Sequence, residues 1–145
     1  MTFIDSNGVT VKALLEHGKI WIVDRLPETG TGALSLLKIE ADEKDDVLRL
    51  ITKWMQSIGV TIPQAREARY RAFADAVGYA NPSVIVILDA HRLRPKIFEH
   101  LRLLAEEFAP LILVGCVLKI GAMAVDQESF MQRARFCVET VRLFD

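Results

Sequence analysis

The sequence predicts an α/β domain of three layers, in which a mainly parallel sheet has helices on both faces. Two apolar runs carry this prediction: residues 83–89 (SVIVILD) and residues 111–114 (LILV). Uninterrupted apolar runs of this length, rich in β-branched residues, are typical of strands buried on both sides. Helical patterns lie before, between and after them, which is the alternation that builds a parallel sheet.

Length and composition indicate one globular domain over residues 1–145. The chain is 51% hydrophobic, and no apolar run approaches the roughly 18 residues that span a bilayer, so we expect no membrane contact. Asp5 interrupts the N-terminus, where a secretory signal would be apolar. The two cysteines, Cys116 and Cys137, have no CxxC spacing. The sequence therefore predicts a cytoplasmic protein without a disulfide framework or a zinc site.

The formal net charge is −1, which excludes a globally basic nucleic-acid binder. Acidic residues nonetheless cluster over residues 40–46, and basic residues are frequent over residues 66–102. Solvated helix faces are the favoured interpretation of both runs.

In the first part of the chain, the pattern predicts a helix over residues 10–17 ended by Gly18, a strand over residues 19–24 and a Pro/Gly loop over residues 25–32. Residues 33–41 fit a strand or a helix. The gap before them is too short for a helical crossover between parallel strands, which takes roughly a dozen residues or more. This segment is therefore either the second strand of a hairpin, which we favour, or a helix.

Later elements follow from helical spacing and from residues that interrupt helices. Asp45 or Asp46 caps a helix that ends at Gly59, residues 64–77 form the next helix, and Pro95 lies near the start of a third. Less regular segments remain: residues 60–63 are extended, residues 117–125 are irregular, and a helix capped by Asp126 fits residues 127–144, although residues 136–143 fit a strand equally well.

Asp89 is the leading candidate for chemistry. It directly follows the central apolar run, and open α/β sheets bind ligands at the carboxyl ends of their strands. A functional role and simple capping of the following turn are equally favoured for this side chain.

Three stretches resemble the AAA+ ATPases of the transposition type, a group that includes the MuB, TniB and ExeA-like proteins. Residues 85–93 read IVILDAHRL, residues 110–115 read PLILVG and residues 27–37 read PETGTGALSLL. They are similar to the family's acidic strand end, its following strand and its phosphate loop, respectively. The resemblance implies a P-loop-like fold, with Gly30, Thr31 and Gly32 beside the phosphates of ATP, and with Asp89 as a magnesium ligand or catalytic acid.

Departures from the family pattern imply a weakened nucleotide site. A phosphate loop needs a lysine for the β/γ-phosphates and a hydroxyl for Mg²⁺, and Ala33 and Leu34 stand at those positions. Of the two adjacent acids that the family uses, this chain keeps one, because Leu88 or Ala90 replaces the other. Phosphoryl transfer depends mainly on placed charge, so we expect no measurable ATP turnover and no firmly bound ATP or Mg²⁺.

The resulting hypothesis is a degenerate ATPase-like domain that binds a protein partner or a second copy of itself, in a regulatory role or in DNA transposition. Arg92, Arg94 and Lys96 are the candidate contacts for a partner or for DNA. Arg133 and Arg135 are candidates for arginine fingers if the chain forms a ring, although surface charge is the favoured interpretation.

A receiver-like signalling domain is the alternative hypothesis. Residues 19–24 (KIWIVD), Asp89 and Cys116 partly match the acidic start, the phospho-acceptor and the later hydroxyl position of such domains. Arg25 replaces the second acid of the start, so this domain would also act by binding a protein partner.

Overall fold

The computed structural model describes residues 2–30 and 32–138. Its strands are, in chain order, β1 Thr2–Asp5, β2 Ile20–Val23, β3 Leu36–Glu40, β4 Val84–Leu88, β5 Leu111–Val114 and β6 Ala134–Val138. They form a six-stranded sheet of order β1-β6-β2-β5-β4-β3, in which every pair is parallel. The predicted α/β class and its parallel sheet are confirmed.

Helices and short turns connect these strands. The helices are α1 Val11–His17, α2 Val47–Ser57, α3 Arg66–Ala80, α4 Phe98–Glu107, α5 Val117–Ala124 and α6 Glu128–Arg133, and the 3₁₀ turns are Ala90–Arg92 and Pro95–Ile97. Pro95 opens the second 3₁₀ turn, directly before α4, as expected for a residue that lacks a backbone N–H.

Strand β4 lies inside the sheet between β3 and β5. Its pairing with β5 aligns Ile85 with Leu111, which confirms that the two apolar runs are neighbouring strands. Successive side chains of a strand point to opposite faces. Ile85 and Ile87 therefore enter one core, while Val84 and Val86 enter the other, and these four side chains are completely buried.

The two faces of the sheet are covered unequally. Helices α2 to α6 all contribute side chains to the larger core. The smaller core is covered by α1, through Val11 and Leu14, and by the loop after β2, through Leu26 and Leu34. The Trp21 indole N–H donates to the Leu14 carbonyl at 2.8 Å, which fixes α1 over the sheet. The Pro/Gly loop is thus part of the cover of the second face.

Residues 36–40 form a strand, as favoured, but the predicted hairpin is wrong. Strand β3 pairs in parallel with β4, and β4 and β5 separate it from β2. The limit on connection length applies to crossovers that contain a helix. The described residues between β2 and β3 form no helix, and an extended chain of twelve residues spans roughly 40 Å, enough to return along a short strand and cross the sheet.

Two helices differ from the prediction. Residues 117–124, expected to be irregular, form α5, which packs against the sheet and α6. Tertiary packing stabilises this helix despite the glycine in its middle. Helix α3 runs through Gly78 to Ala80 and ends where Asn81 adopts a left-handed conformation with φ 47°.

The outer strands were predicted incompletely. Strand β1 was not predicted, and residues 60–63 belong to no strand of the sheet. Gln127, not Asp126, precedes α6. That helix ends at Arg133 and β6 follows, so the long terminal helix is wrong and the alternative strand is confirmed over residues 136–138. Residues 139–145 lie outside the described part of the chain.

Within the described residues, no helix combines the length and the apolar content that crossing a bilayer requires.

Candidate functional site

The carboxyl ends of four neighbouring strands surround an open cleft of about 580 Å³. We call it the edge cleft. Its lining includes Asp24, Glu40, Asp89, His91, Gly115 and Cys116. These residues come from the ends of β2, β3, β4 and β5 or from the turns that follow. Asp89 therefore lies at the edge where parallel sheets bind ligands.

Asp89 has a left-handed backbone, with φ 55° and ψ 38°. This conformation costs roughly 1–2 kcal/mol for most residues, and aspartate adopts it more readily than most. It turns the chain from β4 into the first 3₁₀ turn, where the Arg92 amide donates to the Asp89 carbonyl at 3.0 Å. The turn directs His91 back over the end of β5.

His91 closes one side of the edge cleft. Its Nδ1 accepts a hydrogen bond from the Cys116 amide at 3.3 Å, so Nδ1 carries no proton in this arrangement. A Cβ atom at Gly115 would lie 2.5 Å from the same Nδ1 and 3.1 Å from the His91 amide nitrogen. A larger residue at this position would therefore force the His91 ring to shift. The contact joins the turns after β4 and β5, and nothing in the sequence pattern indicated it.

The lining of the edge cleft is acidic. Asp24, Glu40 and Asp89 line it, and neither lysine nor arginine does. Such a lining repels phosphate groups at short range. In the described residues, no group of three His, Cys, Asp or Glu side chains is arranged to hold a metal ion. The role of Asp89 as a magnesium ligand or catalytic acid stays a prediction.

The glycine loop lies apart from the edge cleft. Gly30 and Gly32 have positive φ values of 96° and 98°, and Thr31 lies outside the described residues. The Glu28 and Thr29 carbonyls accept hydrogen bonds from the first amides of α1, at 2.8 and 3.1 Å. The loop leads into β3, so no helix N-terminus follows it to face a phosphate. The nucleotide-binding role predicted for this loop stays a prediction.

The predicted basic contacts fall into two groups. Arg92 and Arg94 line a second cleft beside the edge cleft, and Lys96 lies in the following 3₁₀ turn. Arg133 and Arg135 belong to the end of α6 and the start of β6. Because all strands run in parallel, Arg133 and Arg135 lie near the amino ends of the strands, whereas Asp89 lies at the carboxyl ends.

Arg133 is part of an ion-pair network between α4 and α6. Its Nε lies 3.0 Å from Glu106, and Arg102 contacts both Glu99 (3.2 Å) and Glu106 (3.0 Å). Glu99 also accepts the Phe130 amide at 3.0 Å, which caps α6 from another helix. Burial acts to raise the pKa of Glu99, but the Phe130 amide and Arg102 outweigh it and hold this pKa below its ordinary value.

One member of the acidic run, Asp45, is buried. Its carboxylate accepts the Asp42 amide at 2.8 Å, forms an ion pair with Lys53 and lies 3.4 Å from Arg49 Nε. Asp46 caps α2 as predicted, since it accepts the Arg49 amide at 2.8 Å. The interpretation of the whole run as solvated is therefore wrong for Asp45, whose side chain has no exposed surface.

Comparisons with known proteins assign no family to the chain. No protein-family model matches the sequence, and no curated protein matches it.

Proposed function

We propose that the chain is a non-hydrolysing ATPase-like domain that acts by binding a protein partner. The acidic lining of the edge cleft carries this proposal. Positive groups surround the transferred phosphate in phosphoryl-transfer sites, whereas Asp24, Glu40 and Asp89 line this cleft without a lysine or an arginine. The cleft lies where α/β sheets bind nucleotides, but its acidic lining would repel the phosphates of a nucleotide.

The residues after the glycine loop support the same conclusion. Ala33 and Leu34 provide neither the cation nor the hydroxyl that a phosphate loop uses. Leu34 instead packs against the smaller core. The loop thus has a role in the fold that does not depend on a nucleotide.

The receiver-like alternative has less support. From β2 onward the order is β6-β2-β5-β4-β3, which places the last strand beside the first strand of this set. In the flavodoxin-like sheet of receiver domains, the last strand lies at the far edge instead. The observed strand order therefore disfavours the receiver-like alternative and favours the ATPase-like hypothesis.

Nucleotide titration with and without Mg²⁺, together with an assay of phosphate release, tests the proposal. We expect no saturable binding of ATP and no release above the buffer rate. Asp89→Ala is the informative variant, and Asp126→Ala, an exposed acid outside the edge cleft, is its matched control. ATP hydrolysis that Asp89→Ala abolishes and Asp126→Ala retains would refute the proposal.

A further inference from the structure

A second cleft, of about 630 Å³, adjoins the edge cleft, and His91 lines both. We call it the basic cleft. Its charged lining residues are Lys44, Arg92, Arg94, Lys119 and Glu43. Four cations thus face one carboxylate, whereas the neighbouring edge cleft is acidic, so the two clefts on either side of His91 carry opposite charge.

The cations of the basic cleft are exposed. Asp42 is the carboxylate that they affect, since its pKa is lowered by its hydrogen bond from the Lys44 amide and also by the charge of Arg92. In the described part of the chain, Lys44, Arg92, Arg94 and Lys119 form no ion pair with a carboxylate. Lys53, by contrast, pairs with the buried Asp45. Like charges that share one cleft repel each other, and an anionic group bound between them would remove that repulsion.

An exposed apolar face of α5 lies next to this cleft. Lys119 and Met123 line the cleft, the adjoining outward face carries Leu118 and Ala122, and Val125 directly follows the helix. Leu118 is 69% exposed and Val125 is 62% exposed. A helix that is apolar nearly all round is typically buried, and large exposed apolar patches mark binding surfaces.

We propose that the basic cleft and this outward face of α5 together bind an acidic, partly apolar segment of a partner protein. Carboxylates of that segment would contact Lys44, Arg92, Arg94 and Lys119, and its apolar side chains would cover Leu118. This inference rests on the proposed function as a binding module, and it specifies the chemistry of the partner.

The surroundings of the cleft favour an acidic peptide over a nucleic acid. The edge cleft presents Asp24, Glu40 and Asp89 on one side of His91, so a long phosphate backbone leaving the basic cleft in that direction would meet carboxylates. A nucleic acid would also leave the apolar face of α5 unused, since affinity for nucleic acid comes mainly from phosphate contacts. A short segment that carries both carboxylates and apolar groups matches both surfaces.

A synthetic peptide provides the probe. It is a fluorescein-labelled amphipathic peptide of about fifteen residues, roughly four helical turns, with leucines on one face and glutamates beside them. One comparison peptide has serine in place of every leucine, and duplex DNA of similar charge is the second comparison. Fluorescence anisotropy measures binding of each probe to the full chain at low and moderate salt, and circular dichroism checks that each variant is folded.

The variants separate the two halves of the surface. We expect Arg92→Glu/Arg94→Glu to weaken binding of the leucine peptide about tenfold or more and Leu118→Ser/Val125→Ser to weaken it about fivefold. Arg66→Glu/Arg71→Glu makes the same change of charge at exposed positions outside the cleft and should alter affinity less than about twofold.

Several results would overturn the inference: no binding of the leucine peptide, equal binding of the serine peptide, equal binding by the Arg92→Glu/Arg94→Glu variant, or tighter binding of DNA that depends on the same arginines. These outcomes are distinct from failure of the proposed function. Only ATP turnover that depends on Asp89 refutes the latter, and peptide binding is measured without nucleotide.

Discussion

Replacing Asp45 by alanine should loosen the turn that joins β3 to α2. The Asp45 carboxylate accepts the Asp42 amide at 2.8 Å, and the Asp45 amide donates back to the Asp42 carbonyl at 3.0 Å. Lys53 reaches the same carboxylate and also donates to the Glu40 carbonyl at the end of β3. One buried side chain thus fixes the turn, the helix that follows it and strand β3.

The expected loss follows from these contacts. Removing one member of a buried ion pair costs about 3–5 kcal/mol when the partner stays buried. Here the side chains of Lys53 and Arg49 are 39% and 59% exposed, so both can turn to water and the loss is smaller. The orphaned Asp42 amide adds about 1 kcal/mol. We expect Asp45→Ala to lower the free energy of unfolding by about 2–3 kcal/mol.

Urea denaturation followed by circular dichroism measures this loss. Asp46→Ala is the matched control, because it removes an exposed neighbouring carboxylate that makes a single capping bond, for which we expect about 1 kcal/mol. Asp45→Asn should fall between the two, since the amide oxygen can still accept the Asp42 N–H. If Asp45→Ala destabilises the protein no more than Asp46→Ala does, the buried Asp45 carboxylate does not stabilise the fold as expected.

Three further predictions concern the two cysteines, Glu99 and Gly115. Cys116 is exposed and Cys137 is buried, and burial raises the pKa of the Cys137 thiol to about 11. At about pH 8 a thiol reagent should therefore modify Cys116 quickly and Cys137 only on unfolding. Rapid modification of both cysteines in the folded protein would contradict this. The pKa of Glu99 is lowered in the folded protein, so below pH 4.5 the unfolded state takes up the proton first and the free energy of unfolding falls. Glu99→Gln should make this decrease with falling pH less steep in denaturant titrations. An unchanged pH dependence would exclude a contribution from Glu99. Gly115→Ala should lower the free energy of unfolding by about 1–3 kcal/mol, because the added Cβ would lie 2.5 Å from His91 Nδ1. In the double variant, His91→Ala should recover part of that loss. Strict additivity of the two single-variant losses would contradict this expectation.

The central part of the fold was predictable because its signals are local. The runs at β4 and β5 are apolar without a break, and only a doubly covered strand suits such a run. Asp46 and Pro95 marked helix starts through their own backbone chemistry. Strand β1 and helix α5 gave no comparable signal: β1 is stabilised by pairing with β6, more than a hundred residues away, and α5 lacks a polar stripe to reveal its period.

The candidate site was predictable only at Asp89. A strand end can be read from sequence, and parallel strands place their ends together. Which other side chains meet there depends on strand order, and the hairpin expected for β3 would have placed Glu40 beside β2. The contact between His91 and Gly115 depends on the left-handed turn at Asp89, and the burial of Asp45 within an acidic run has no signature in composition.

The position of β6 has a consequence for how the protein is made. This strand inserts between β1 and β2, and among the described residues it is the only strand that pairs with β1. Strand β1 therefore emerges from the ribosome about 130 residues before its neighbour, a delay of roughly ten seconds at usual rates of translation. Strands β2 to β5 can assemble during that interval. A chain whose synthesis stops before residue 134 would lose two strands from its sheet, one at each terminus.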